Sequence, residues 1–197
     1  MISVLDYGAG NLRSVGNTLT ALGVPFETVR DAGALARATK IILPGVGHFG
    51  QMMRALDEMG VRSTLVGRIR DGIPFLGICL GLQALLERSE EAPEVRGLGI
   101  LEGEVLRFHP PLRVPHMGWN EVTTVRPARL FPNALHFYFA NSYYAPVLPA
   151  TSAITDYGGP FTAAIEHGNI HAVQFHPEKS GPAGLDAMKR FSEIPEC

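Results

Sequence analysis

The sequence predicts an α/β fold: a central, mostly parallel sheet with helices on both faces, together with strands of mixed or antiparallel pairing. Two observations carry this. Over the first ninety residues, short apolar runs alternate with amphipathic stretches, as strands joined through crossover helices require. After about residue 95 that rhythm gives way to closely spaced strand-like segments separated by Pro, Gly and Asn.

The elements follow in order. Ile2-Ser3-Val4-Leu5 reads as a strand, Gly8-Ala9-Gly10-Asn11 as a turn, and residues 12–22 as a helix ended by Gly23. Residues 24–29 form a second strand, and 32–38 a short helix with Asp31 placed as its N-cap. Ile41-Ile42-Leu43 is a third strand, running into Pro44-Gly45-Val46-Gly47. Helical pattern fills 49–70, broken near Gly60; 73–78 is a fourth strand and 80–86 opens another helix. Strands are then expected at 100–107, 119–125, 135–140, 151–156, 161–166 and 170–175, with a closing helix at 185–191. No repeat, low-complexity tract or linker divides the chain, so residues 1–197 are expected to form one domain.

Composition narrows the function classes. A chain of this length buries roughly 70% of its unfolded surface, so it needs no disulfides or structural metal to fold. Apolar residues make up 46%, charged residues 18%, and the net charge is −2. That balance excludes disorder and gives no electrostatic reason to expect nucleic acid or an anionic membrane. No apolar run approaches the roughly 20 residues that span a bilayer, and the N-terminus lacks a basic n-region. Of two cysteines, Cys79 lies in a structured region and Cys197 reads as a bystander; such a pair is no disulfide framework, and a cytoplasmic location is expected.

The strongest local signal is Gly77-Ile78-Cys79-Leu80-Gly81, between a predicted strand and a predicted helix. It has the form of a nucleophile elbow with cysteine in place of serine. Its glycines allow a tight turn, and the following helix N-terminus favours thiolate. Taken alone, Cys79 could equally be a buried small hydrophobe. A second segment, Val173-Gln174-Phe175-His176-Pro177-Glu178, shifts the balance. In extended geometry His176 and Glu178 point the same way, so the carboxylate can hold one ring nitrogen while the other faces a thiol. Cys79, His176 and Glu178 are therefore the expected triad.

A third segment, Leu43-Pro44-Gly45-Val46-Gly47, stands at the carboxyl end of a strand, where open α/β sheets bind ligands and where glycines let backbone N–H groups approach an oxyanion. Gly8-Ala9-Gly10 lacks the third glycine of a dinucleotide fingerprint, since Arg13 occupies its place; it reads as a turn. His109 and His116 lack companion ligands, so no metal or other cofactor is expected.

Pro-Gly-Val-Gly, Gly-Ile-Cys-Leu-Gly-Leu-Gln and Gln-Phe-His-Pro-Glu-Lys-Ser, in this order, resemble the triad class of glutamine amidotransferases. Three further stretches, Asp6-Tyr7-Gly8-Ala9-Gly10-Asn11-Leu12, Pro115-His116-Met117-Gly118-Trp119-Asn120 and Phe137-Tyr138-Phe139-Ala140-Asn141-Ser142-Tyr143, make the chain more closely similar to the glutaminase subunits of imidazole glycerol phosphate synthase. The resemblance covers essentially the whole chain. It implies a flavodoxin-like amidotransferase fold and an oxyanion hole from the Val46 and Leu80 N–H groups. It further implies that Gly45, Gly47, Gln83, Ser142 and Tyr143 hold glutamine. As partner it implies a (β/α)8-barrel cyclase in a heterodimer, receiving ammonia and facing Pro115, Met117, Trp119 and Tyr138. The plainer reading of Met117 and Trp119 is core packing. Low activity in isolation is expected, with Gly45 and Gly47 giving Val46 the freedom to rearrange when the partner is loaded. Other readings are a glutaminase of another pathway in the same class, a stand-alone cysteine hydrolase, and a non-catalytic scaffold.

Overall fold

The computed structural model describes residues 1–196; Cys197 lies outside the described residues. Strands β1 (Ile2–Leu5), β2 (Phe26–Val29), β3 (Ile41–Gly45) and β4 (Phe75–Cys79) are the four expected in the first half. They alternate with helices α1 (Leu12–Ala21), α2 (Ala32–Ala36), α3 (Phe49–Glu58) and α4 (Arg62–Arg70). Asp31 caps α2 by accepting the Ala34 N–H at 2.8 Å, as its position suggests. The break between α3 and α4 falls at Gly60, whose φ of +65° lets the Val61 N–H return to the Leu56 carbonyl at 3.1 Å and close the helix end.

The second half supplies β5 (Arg88–Ser89), β6 (Glu104–Arg107), β7 (His116–Thr124), β8 (Leu135–Asn141), β9 (Tyr143–Tyr144), β10 (Thr151–Asp156), β11 (Pro160–His167) and β12 (Ile170–Val173). A nine-stranded sheet runs in the order β2-β1-β3-β4-β12-β11-β10-β7-β8, and β5, β6 and β9 form a separate mixed sheet. The large sheet is parallel from β2 through β12 and antiparallel from β12 to β8. β12 is thus the seam: the last strand in sequence, it inserts beside β4.

Side chains alternate between two cores, one on each face. Ile41 and Leu43 join the core beneath α2, α3 and α4, whereas Ile42 joins the core beneath α1 and the closing helix α6 (Gly181–Glu193). Helices therefore cover both faces of the parallel half, as expected for strands that read as continuous apolar runs.

The strand expected over 119–125 begins three residues early, at His116, and that expected over 170–175 ends at Val173; three further boundaries depart as well. The helix expected over 80–86 is a single turn, α5 (Leu80–Gln83), because carbonyls that would extend it are taken from elsewhere: Ala84 accepts from Leu98, and Leu85 from Ile100 and Leu101. The strand expected from residue 100 starts only at Glu104 for the same reason. The closing helix begins four residues earlier than its apolar periodicity, at Gly181, with Pro182 in its first turn.

Candidate active site

Strand β4 ends on Cys79, whose backbone has φ 53° and ψ −105°, the only positive φ among the described non-glycine residues. Backbone crowding enforces it. A Cβ on Gly77 would lie 2.5 Å from the Gly81 carbonyl oxygen, and one on Gly81 would lie 2.1 Å from that of Leu43. The glycines therefore let β3, β4 and α5 pack at near-backbone contact, and the remaining turn is carried by the cysteine. Parallel pairing sets Gly45 opposite Cys79, so Val46 and Gly47 leave the sheet beside the sulfur. The Tyr7 hydroxyl donates to the Val46 carbonyl at 3.5 Å, and burial pushes that phenol up to about 12. Because α5 is one turn long, the dipole expected beneath the sulfur shrinks to the local N–H groups of that turn.

The second arm comes from β12, which pairs with β4 so that Val173 lies beside Ile78. The chain beyond Val173 therefore reaches the elbow. His176 Nδ1 and Glu178 Oε1 are 2.9 Å apart, and both side chains are nearly inaccessible. Their spacing works differently from the extended geometry anticipated. Glu178 sits in a 3-10 turn (Pro177–Lys179) that folds it back under the ring. Burial opposes protonation of His176, but hydrogen bonds to Cys79 and Glu178 and the charges of both groups outweigh it, raising the imidazole to about 10. Burial would raise Glu178; its bonds to His176 and Asn11 override that and hold the carboxyl below its usual range.

Asn11, from the turn after β1, donates from Nδ2 to Glu178 Oε1 at 3.1 Å. Ser14 donates to Asn11 Oδ1 at 2.7 Å, fixing which end of the amide faces the carboxylate. Ser180 Oγ donates to the His176 carbonyl at 2.6 Å and accepts the Tyr138 N–H at 2.9 Å, while the His176 N–H donates to the Tyr138 carbonyl at 2.8 Å. The histidine backbone is thereby tied to β8.

A cavity of about 170 Å³ opens over the sulfur. It brings together Cys79, His176, Val46, Gly47, Leu80 and Gln83 with Ser142 and Tyr143, and Pro115 and Met117 stand at its wall. Gly45 is behind that wall, packed against Leu80 and Gly81. Trp119 and Tyr138 lie outside it, stacked edge-to-face at 6.3 Å on the exposed side of β7 and β8. Trp119 is 57% and Met117 64% exposed, which overturns core packing for both.

Three residues of the site escaped the sequence reading. Asn11 lay in a stretch read as a turn. Glu91 lines the cavity as a carboxylate, its Oε2 accepting the Phe49 N–H at 2.7 Å. Gln174, wholly buried, donates from Nε2 to Cys79 Sγ at 3.5 Å. Its only signal was its place two residues before His176. His116 is buried and stacked between Phe139 and Tyr157, and no group of three potential metal ligands occurs among the described residues.

The profile of the family described as glutamine amidotransferase class-I matches residues 3–193. Among curated proteins, the chain is 51% identical to "Imidazole glycerol phosphate synthase subunit HisH" of Methanothermobacter thermautotrophicus over 98% of both chains. It is 50% identical to a protein of that name from Thermus thermophilus, over 97% of this chain and 98% of that one. Among solved structures, a glutamine amidotransferase superposes with a TM-score of 0.77 at 21% identity, covering 98% of this chain and 99% of that one, a likeness of fold.

Proposed function

The chain belongs to the class-I glutamine amidotransferase family, and from that premise we propose that it is the glutaminase subunit of an imidazole glycerol phosphate synthase. It hydrolyses glutamine and hands the ammonia to a cyclase. The observation that carries the reading is the His176–Glu178 pair buried against a cysteine in a strained elbow; the relatives' names select the pathway.

Cys79 Sγ attacks the side-chain amide carbon of glutamine, forming a C–S bond and a tetrahedral oxyanion. The N–H groups of Leu80 and Val46 face that oxygen. His176, held by Glu178, protonates the departing nitrogen, so the C–N bond breaks to give ammonia and a glutamyl thioester. Water then attacks the thioester, His176 takes its proton, and glutamate leaves with the thiolate restored. Glu91 and the Gln83 Oε1 supply acceptors for the substrate's α-ammonium, because both Gln83 amide hydrogens are spent on the Tyr143 carbonyl and Gln174 Oε1, at 2.9 and 3.0 Å. Gly47, Ser142 and Tyr143 close the amino-acid end, with Gly45 supporting the strand.

Free ammonia is protonated in water, so it must pass directly to the acceptor enzyme. The exposed Met117 at the cavity wall, and the exposed Trp119 packed edge-to-face on the half-buried Tyr138, suit docking of a (β/α)8-barrel cyclase as a heterodimer. There ammonia and a phosphoribulosyl-formimino nucleotide yield imidazole glycerol phosphate and aminoimidazole carboxamide ribotide, for histidine biosynthesis. The chain acts as one amidotransferase domain in the cytoplasm; no described helix is long and apolar enough to cross a membrane.

The test is glutamate release by the chain alone and with a purified cyclase carrying its nucleotide. Strong stimulation by the loaded partner, abolished in Cys79→Ala, is expected. Equal turnover with and without the cyclase would discard the coupled synthase, and release surviving in Cys79→Ala would discard the nucleophile.

A further inference from the structure

We propose that Gln174 is a further catalytic residue of this site: its side-chain amide donates a hydrogen bond to Cys79 Sγ and holds the sulfur as a thiolate aimed at substrate. The contact is the Nε2–Sγ approach of 3.5 Å, within range for a sulfur acceptor.

Which end of the Gln174 amide faces the sulfur follows from the network behind it. The Tyr143 backbone carbonyl can only accept. It takes a hydrogen bond from Gln83 Nε2 at 2.9 Å and another from Asn141 Nδ2 at 3.0 Å. Gln83 must therefore present its NH2 group on that side, and the second hydrogen of that group goes to Gln174 Oε1 at 3.0 Å. Turning Gln174 over would set two NH2 groups against each other and a carbonyl oxygen against the sulfur. A fixed backbone acceptor thus dictates, through two amides, that an N–H points at Cys79.

Burial makes the arrangement consequential. Gln174 is inaccessible to solvent and Cys79 is 7% exposed, so water supplies little of the stabilisation a sulfur anion needs. His176 faces the same cavity as that sulfur, and the Gln174 N–H comes from the segment leaving β12, the same strand end that delivers the histidine. A neutral donor suits the position. It favours the anion without competing with His176 for the proton, and unlike a second cation it does not weaken the imidazolium. Gln83 also gains a second role, since it sets the orientation of Gln174 as well as lining the cavity.

The kinetic arm of the test rests on the glutaminase reading; the chemical arm does not. In Gln174→Met, which keeps the length and removes the donor, alkylation of Cys79 by iodoacetamide at pH 7 is expected to slow by about tenfold, the weight of one hydrogen bond to a charged group. Gln174→Glu keeps the acceptor for Gln83 but sets a carboxylate at the sulfur, and should slow alkylation further. Thermal melts of both variants report folding. With the loaded cyclase, kcat for glutamate release should fall in the same order with KM little changed. If wild type releases no glutamate with the loaded cyclase while alkylation still depends on the donor, the glutaminase reading falls and the contact stands. Alkylation within twofold of wild type in folded Gln174→Met overturns the proposal. Where that variant does not fold, alkylation of Gln174→Glu within twofold of wild type overturns it instead.

Discussion

Strands β1, β3 and β4 are buried at every residue, whereas β7, at the other side of the sheet, alternates between covered and open positions. The contrast follows from what covers them. Helices lie on both faces of the parallel half, while one face of the β7–β8 pair packs an aromatic core of Phe137, Phe139 and Phe161 and the other presents Met117 and Trp119. In the first region the chemistry is set by main chain: the elbow is made by glycines that tolerate contact distances of backbone to backbone. In the second, exposed side chains stand on a surface that the fold does not need, the face proposed for docking. Substitutions should therefore cost stability in one region and association in the other.

The sharpest way to break that division is Gly81→Ala. A methyl group 2.1 Å from the Leu43 carbonyl oxygen forces β3 and α5 apart. The expected loss is about 3 kcal/mol or more, read from urea unfolding, with glutamate release lost alongside. Unfolding within about 1 kcal/mol of wild type would show that the elbow is looser than its packing implies. On the other side, Trp119→Ala should leave the urea midpoint unchanged and weaken cyclase binding by about 2 kcal/mol, measured by titration calorimetry. Unchanged affinity would remove Trp119 from the interface.

Two smaller effects probe the seam between the regions. Asn11→Ala removes a donor that fixes the Glu178 carboxyl against His176, so kcat should fall about tenfold with KM unchanged; a rise in KM alone would assign Asn11 to substrate binding instead. The smallest effect concerns His171 on β12, which burial and the charge of Arg129 lower from 6.5 to about 4. Because the folded chain keeps it neutral, the unfolded chain binds more protons between those values. Its contribution is intact above pH 6.5 and is lost as pH falls towards 4. His171→Leu should flatten the fall of melting temperature across that window, and an unaltered slope would move the acid sensitivity elsewhere.

Much of this was legible in the chain. The elbow and the His-x-Glu pair are local, each within six residues, and the parallel strands announce themselves as apolar runs. What stayed hidden depends on distance or on brevity. Asn11 meets Glu178 across 167 positions, and nothing in a Gly-Asn turn signals a carboxylate partner. Strands β5 and β9 have two residues each, too few for a periodicity to register. The length of α5 was misjudged because its end is imposed by residues 98–101 capturing its carbonyls, a tertiary event. Gln174 stood in plain view within a recognised motif, yet only the orientation of two neighbouring amides gives its N–H a direction.

The left-handed backbone of Cys79 has a bearing on how such a chain ages. A side chain held at φ 53° costs the folded state about 1 to 3 kcal/mol, a cost that glycine would not incur. Under the proposed mechanism, thermodynamics and chemistry therefore pull position 79 in opposite directions, the fold favouring glycine and turnover requiring sulfur. If the proposed reaction is the one selected, a lineage that no longer used it should drift at this codon towards glycine and gain a sturdier protein.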